Sequence, residues 1–116
     1  DSHLASLDRH HLVRHGERSG DIIEHRVQCL TLHTLLARHG IEHVDLLQID
    51  AEGNDGSILH SIDFTTFRPP IICYEHANLV EAERNACIEL LGKQGYRILL
   101  EDSDTIAYRD PRLVLA

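Results

Sequence analysis

Residues 44–53 read VDLLQIDAEG, an apolar run that ends in two carboxylates and a glycine. The segment from Val44 to Ile49 is short and mostly apolar, which is typical of a β-strand covered on both faces in a parallel sheet. Asp50 and Glu52 come directly after it. In an open parallel sheet, ligands bind outside the carboxyl ends of the strands, because loops and helix N-termini meet there. The stretch therefore predicts both a strand of the sheet and one wall of a site.

A second strand ends on a carboxylate in the same way. The step Arg68-Pro69-Pro70 cannot continue a helix and introduces the apolar run 71–74. Glu75 follows that run directly. Neighbouring strands of a sheet lie about 4.8 Å apart. We therefore expect Asp50, Glu52 and Glu75 to face one crevice.

Strands and helices are predicted to alternate along the rest of the chain. The further segments are a half-buried strand from Ile22 to Thr31, a short helix capped by Thr31 and ended by Gly40, a helix with the apolar stripe Ile58, Leu59 and Ile62, a helix from Leu79 to Gln94, and two strands, Tyr96–Leu100 and Thr105–Tyr108. A short polar turn joins the last two strands, which predicts an antiparallel hairpin. Strands that alternate with helices predict an α/β fold with a mainly parallel sheet.

The composition limits the kind of protein. The chain has 116 residues, which is at most one domain, and a net charge of −8, which repels nucleic acid. No apolar run approaches the roughly 20 residues that span a bilayer. The polar start, Asp1-Ser2-His3, does not resemble a signal peptide. We therefore expect a cytoplasmic protein without a nucleic-acid or membrane partner.

Cysteines and histidines give no metal signature. Cys29, Cys73 and Cys87 are odd in number and widely spaced, which predicts neither a disulfide framework nor a CxxC metal site. His11 and His15 have the i, i+4 spacing that can hold zinc on a helix, but no cysteine lies beside them at a matching spacing. No metal site is predicted from these residues.

Three acids at one rim of a sheet need a physical reason, because like charges raise one another's pKa and cost stability. They suit a general base for a hydroxyl, an oxygen cage for a hard divalent cation, or a counter-charge for a cationic ligand. A purely structural reading also exists, in which Asp50 or Glu52 caps the next helix and Glu75 is a solvated strand end. Two strands that end in the same way favour a site.

The order of these motifs resembles that of the FkbM methyltransferase family. Residues 44–53 look like its signature segment, usually written Asp-Leu-Leu-Lys-Ile-Asp-Val-Glu-Gly. The other similar segments are Ala5-Ser6-Leu7, the stretch from Val27 to Leu36, an acid at Asp55, the apolar pair Ile58-Leu59, the step Arg68-Pro69-Pro70, Glu75, and Gly95-Tyr96. Two residues depart from the pattern, since Gln48 stands where Lys is common and His33 where Asp is common.

The resemblance implies a class I methyltransferase fold, with a Rossmann-like sheet whose last strand is antiparallel. It implies S-adenosylmethionine as the cofactor and O-methyl transfer onto a hydroxyl of a sugar or secondary metabolite. It also implies roles for the three acids: Glu52 or Glu75 as the base that takes the hydroxyl proton, and Asp50 as a residue that orients the substrate or holds an ion.

One family feature is missing from the sequence. Members of the family normally bind the cofactor through a glycine-rich turn after their first strand. The seven glycines here are scattered, and Gly53 and Gly56 follow a different strand. We therefore expect residues 1–116 to be the C-terminal portion of an FkbM-type domain, inactive alone and with little affinity for the cofactor.

The same reading predicts an open sheet edge at Val44–Ile49, where the family's first strand would pair. An unpaired apolar edge favours association, so we expect a homodimer through it. Two other functions fit the residues: a non-catalytic α/β interaction module, and a metal-dependent hydrolase that uses the acidic cluster.

Overall fold

The computed structural model describes Gly20 and residues 22–110 of the chain. The elements of this part follow one another as α1 (Leu32–Arg38), β1 (Leu46–Ile49), α2 (Asp55–His60), β2 (Ile71–Glu75), α3 (Glu81–Lys93), β3 (Arg97–Leu100) and β4 (Asp104–Tyr108). The predicted α/β class is confirmed. The segment Ala5-Ser6-Leu7 and the histidine pair near it lie outside the described residues.

The four strands form one mixed sheet in the order β1-β2-β4-β3. β1 pairs in parallel with β2, from Leu46 opposite Ile71 to Ile49 opposite Tyr74. β4 is antiparallel to both β2 and β3 and lies between them. β1, β2 and β3 therefore point one way and β4 the other. The predicted hairpin is confirmed. The prediction of a mainly parallel sheet is wrong for the described residues, because the second hairpin strand also contacts β2 and makes two of the three strand pairs antiparallel.

The strand predicted from Ile22 to Thr31 is wrong. Residues 22–30 have no regular structure, and the side chains of Ile23 and Val27 are 78% and 68% exposed. Alternation of polar and apolar residues gives a strand only where a neighbouring strand pairs with it and a surface covers its apolar side. Within residues 22–110, no strand pairs with this segment and its apolar side chains stay exposed.

The short helix that follows begins and ends as the sequence predicts. Thr31 is the N-cap of α1, and its side chain accepts a hydrogen bond from the Thr34 amide at 3.1 Å. Gly40 lies just past the C-cap with a φ of 61°, a conformation that glycine adopts without strain. His33, which stands where the family commonly has Asp, leaves the start of α1 intact. Its ring instead accepts a hydrogen bond from the Asp63 amide at 2.9 Å.

The core lies on one face of the sheet, under α2 and α3. Its buried apolar residues are Ile49, Leu59, Ile62, Phe64, Phe67, Ile72, Tyr74, Leu79, Cys87, Leu91, Tyr96 and Ala107. On the other face, the described residues leave Leu46, Ile71, Leu99 and Tyr108 between 41% and 51% exposed. The prediction that β1 is covered on both faces is therefore wrong for this part of the chain, and β1 lies at an edge of the sheet.

Candidate active site

The parallel pairing of β1 and β2 brings the predicted acids together. Asp50 directly follows β1, and Glu75 is the last residue of β2, one step beyond the Ile49–Tyr74 pair. One carboxylate oxygen from each of Asp50, Glu52 and Glu75 lies within 4.8 Å of those of the other two. Asp50 is exposed, while Glu52 and Glu75 are partly buried. The three residues therefore share one rim of the sheet, and their chemical roles stay a prediction.

A tight turn after β1 brings Glu52 back toward Glu75. Glu52 has a φ of 48° and Gly53 a φ of 99°, so two successive residues are left-handed. Such a conformation strains a residue with a side chain by about 1–2 kcal/mol. The turn is closed by the Asn54 amide, which donates to the Ala51 carbonyl at 3.1 Å. Neither Asp50 nor Glu52 caps α2, whose N-cap is Asn54.

Two residues that the sequence did not predict as part of the site contact the acids. Asp55 is fully buried at the start of α2, and its carboxylate accepts hydrogen bonds from the Ala51 and Glu75 amides, each at 3.1 Å. Asn78 follows β2, and its side-chain amide donates to Glu75 Oε1 at 3.0 Å and to Glu52 Oε2 at 3.5 Å. Only the resemblance pointed to an acid at Asp55, and no sequence signal singled out Asn78.

Glu75 lies in an environment that disfavours its ionised form. Partial burial raises the pKa of its carboxyl above the usual value, and the negative charges of Asp50, Glu52 and Asp55 raise it further. A raised pKa makes a carboxylate a better proton acceptor. Glu75 is therefore suited to take a proton from a bound hydroxyl.

An open crevice of about 260 Å³ adjoins the cluster on the uncovered face of the sheet. Its lining residues are Gln48, Ile49, Asp50, Cys73, Tyr74, Glu75, Glu101, Asp104 and Ile106. The β3–β4 hairpin thus adds two carboxylates, which the sequence had suggested only as a polar turn. None of these lining residues is a lysine or arginine, so the crevice favours cationic or hydroxyl-rich ligands.

The crevice does not offer a reactive thiol or a histidine ligand. Burial raises the pKa of the Cys73 thiol, and the charge of Asp104 adds to the rise, which keeps the thiol protonated. His76 follows Glu75, but it does not line the crevice and is not part of the carboxylate cluster; its Nδ1 is hydrogen-bonded to the Thr105 hydroxyl at 2.9 Å. Within the described part of the chain, the three clustered carboxylates are close enough to hold a hard divalent cation by oxygen ligands.

The family model for the methyltransferase FkbM domain matches residues 2–98 of the 116-residue chain. The chain belongs to the FkbM methyltransferase family. No curated protein and no solved structure matches it.

In this member of the FkbM methyltransferase family, Asp50, Glu52 and Glu75 lie within the matched range, which ends in β3, whereas Glu101 and Asp104 of the crevice lie beyond it. Gln48, the residue that departs from the usual family lysine, lines the crevice and leaves its acids without that counter-charge. None of the helices in the described segment is long and apolar enough to cross a membrane. A cytoplasmic location stays a prediction.

Proposed function

We propose that residues 1–116 are the C-terminal portion of an S-adenosylmethionine-dependent O-methyltransferase and supply its proton-accepting site. The observation that carries the proposal is the cluster of Asp50, Glu52 and Glu75, with oxygens within 4.8 Å of one another at the carboxyl ends of two parallel strands. Membership of the FkbM family supports methyl transfer as the reaction. The substrate is a small molecule with a free hydroxyl.

In this proposal, Glu75 or Glu52 accepts the hydroxyl proton and Asp50 orients the acceptor. Glu75 is favoured as the base because its raised pKa is matched to this task. Asp50 is the most exposed of the three and is the first that a ligand entering from solvent meets. Positioning supplies the rest of the rate enhancement, since the acceptor oxygen must be in line with the methyl group.

A sugar or a hydroxylated secondary metabolite is the proposed acceptor class. Ionised carboxylates only accept hydrogen bonds, and hydroxyl groups donate them. The crevice presents carboxylates from β1, β2 and the β3–β4 hairpin, which can bind several hydroxyls of one ligand. The crevice repels phosphorylated acceptors, because its lining is acidic and has no basic side chain.

The acids fit only one end of the cofactor. S-adenosylmethionine, when bound, supplies an electrophilic methyl group on a positively charged sulfonium, and a rim with Asp50, Glu52 and Glu75 attracts that charge. No glycine-rich turn follows either parallel strand in the part of the chain with described structure. We therefore assign no residue to the adenosine end.

The proposal is tested by methyl transfer to hydroxylated acceptors, measured in the natural full-length protein. Replacing the base, by Glu75→Gln or Glu52→Gln, should lower kcat by about 10²–10⁴-fold. The control Glu89→Gln changes an exposed residue paired with Lys93 on α3 and should leave kcat unchanged. If neither Gln substitution at the cluster lowers kcat, the proton-accepting role is wrong.

A metal-dependent hydrolase is the second candidate, because the same three carboxylates can bind a divalent cation. Calorimetric titration with Mg²⁺, Mn²⁺ and Ca²⁺ separates the candidates. Micromolar binding that Asp50→Asn abolishes, together with hydrolysis that needs the ion, would support the hydrolase. Absence of both methyl transfer and ion binding would support the non-catalytic interaction module.

A further inference from the structure

We infer that Asp55 and Asn78 are positioning residues of the acidic site. They hold Asp50, Glu52 and Glu75 in one arrangement without contacting a substrate. The inference rests on the proposed function of that site. It gives the reaction two supporting residues beyond the three acids.

Asp55 fixes the backbone on both sides of the cluster with a single carboxylate. Its Oδ1 accepts from the amide of Ala51, which lies between Asp50 and Glu52 in the chain. Its Oδ2 accepts from the amide of Glu75 itself. One buried side chain therefore fixes the ends of β1 and β2 relative to each other, and all three acids are on or next to the bonded residues.

The choice of an aspartate here follows from geometry. A Ser or Thr hydroxyl would satisfy one amide, and an Asn would present an N–H group to one of the two donors. The aspartate carboxylate has two acceptor oxygens, one for the Ala51 amide and one for the Glu75 amide. The negative charge of Asp55 also raises the pKa of Glu75 and so opposes its ionisation. A residue that served only as a structural link would not need this unfavourable charge.

Asn78 holds the side chains of the cluster as Asp55 holds its backbone. Its amide nitrogen carries two hydrogens and bridges Glu75 Oε1 and Glu52 Oε2, at 3.0 and 3.5 Å. A neutral donor between two carboxylates keeps them close without adding charge. The loop that carries Asn78 is itself fixed to α3, because Arg84 Nε donates to the carbonyls of His76 and Leu79 at 2.9 and 3.0 Å.

Amide hydrogen exchange tests the role of Asp55 directly and needs no activity. In Asp55→Asn, exchange at the Ala51 or Glu75 amide should rise at least about tenfold relative to the Tyr74 amide, because one amide loses its acceptor. Dividing each exchange rate by that of the Tyr74 amide removes the contribution of any change in global stability. The control Leu59→Ala removes buried side-chain volume from the core beside α2. It should leave the exchange ratios of the Ala51 and Glu75 amides to the Tyr74 amide unchanged. Unchanged ratios in Asp55→Asn would overturn the role of Asp55.

NMR chemical shifts of the side-chain carboxyl carbons, measured at one pH, test the role of Asn78. This measurement also decides the inference if the Asp55→Asn variant is too unstable to fold. Asn78→Ala should move the side-chain signals of both Glu52 and Glu75. The control Asn85→Ala changes an exposed residue of α3 and should move neither. If the two signals stay in place in Asn78→Ala, no bridge exists and the inference fails.

Kinetics of the full-length protein complete the test. Both positioning variants should lower kcat at least about tenfold, because the displaced acids no longer accept the hydroxyl proton in the geometry that methyl transfer needs. The two controls should keep wild-type kcat. A wild-type protein without methyl transfer would contradict the proposed function, and the exchange and shift measurements would still decide the positioning roles. Wild-type kcat in both positioning variants would overturn the inference.

Discussion

Glu75 is partly buried beside three other carboxylates, and this environment links its ionisation to the stability of the fold. Desolvation is the largest cause of its raised pKa, followed by the charges of Asp50, Glu52 and Asp55. A group with a higher pKa in the folded than in the unfolded state binds its proton more tightly when folded. Its ionisation therefore destabilises the native state as pH rises from the ordinary value of 4.5 to the raised one.

The Glu75→Gln substitution should accordingly stabilise the protein at neutral pH and not in acid. The gain should be at most about 1 kcal/mol, because the site is open to solvent. Urea unfolding at about pH 4 and about pH 7 measures it, with Glu89→Gln as a control whose free energy of unfolding changes little. A Gln variant less stable than wild type at neutral pH would show that the Glu75 charge is favourably paired, against this account.

Two buried tyrosines offer a matched pair of substitutions. Among the described residues, no group hydrogen-bonds the buried Tyr74 hydroxyl with normal geometry, although the Thr105 hydroxyl lies near enough to lower the Tyr74 pKa slightly against the effect of burial. The Tyr96 hydroxyl donates to the Pro69 carbonyl at 2.6 Å. Burial raises the pKa of both phenols, so both are neutral.

Tyr74→Phe should leave the free energy of unfolding unchanged or raise it by up to about 1 kcal/mol, because it removes an unpaired polar group from the core. Tyr96→Phe should lower it by about 1–2 kcal/mol, since a made hydrogen bond is lost. Chemical unfolding of the two variants checks the difference. Equal losses in both would mean that the Tyr74 hydroxyl has a partner.

At the scale of elements, the turn between β1 and α2 decides where Glu52 lies. Gly53 has a φ of 99°, which residues with a side chain rarely adopt. Gly92, in contrast, is inside α3, and an added Cβ there would meet no atom within 4 Å. The same substitution at the two glycines therefore tests the backbone rather than packing.

Gly53→Ala should lower the free energy of unfolding by about 1 kcal/mol or more and displace the Glu52 carboxylate. Gly92→Ala should raise stability by up to about 1 kcal/mol, because alanine favours the helix. Thermal unfolding of both variants provides the measurement. Tolerance of alanine at Gly53 would show that the left-handed turn is not needed.

The elements that the sequence predicted well carry local signals. Thr31 and Gly40 define α1, the Pro69-Pro70 step introduces β2, and the helix predicted from Leu79 to Gln94 is α3 with bounds one or two residues further in. The wrong strand from Ile22 to Thr31 had alternation, but no strand among the described residues pairs with it. Its formation depended on a partner strand, which a local pattern does not specify.

The three acids could be predicted from the sequence, whereas the roles of the residues that hold them, Asp55 and Asn78, could not. Asp50, Glu52 and Glu75 were predicted because the end of a parallel strand is visible in the sequence, and the pairing rule then places such ends together. The bonds of Asp55 to Glu75 and of Asn78 to Glu52 span 20 and 26 residues. They depend on the turn geometry and the strand register, which no short motif encodes.

At the scale of the whole molecule, the described residues leave one face of the sheet uncovered and β1 at an edge. β1 is an edge strand of residues 46–49, without proline or charge, and its Leu46 is 51% exposed beside Ile71 on β2. Such an edge readily pairs with another strand. We propose that two copies of the isolated chain pair through their β1 edges, which joins their apolar faces into one.

Light scattering should therefore show a dimer of the 116-residue chain. Leu46→Lys places a charge on the β1 edge and should shift the chain toward a monomer. Leu99→Lys adds the same charge on the same face at the opposite edge, on β3, and should leave the dimer intact. A monodisperse wild-type monomer would contradict association through this edge.

We propose that the carboxylates at the ends of β1 and β2 form the reaction site of a methyltransferase. The most direct test is transfer of a labelled methyl group from S-adenosylmethionine to a hydroxylated acceptor by the full-length protein and its Glu52→Gln/Glu75→Gln double variant. We expect labelled product from the wild-type protein and a rate at least about 10²-fold lower in the double variant. Equal rates in the two proteins would contradict it.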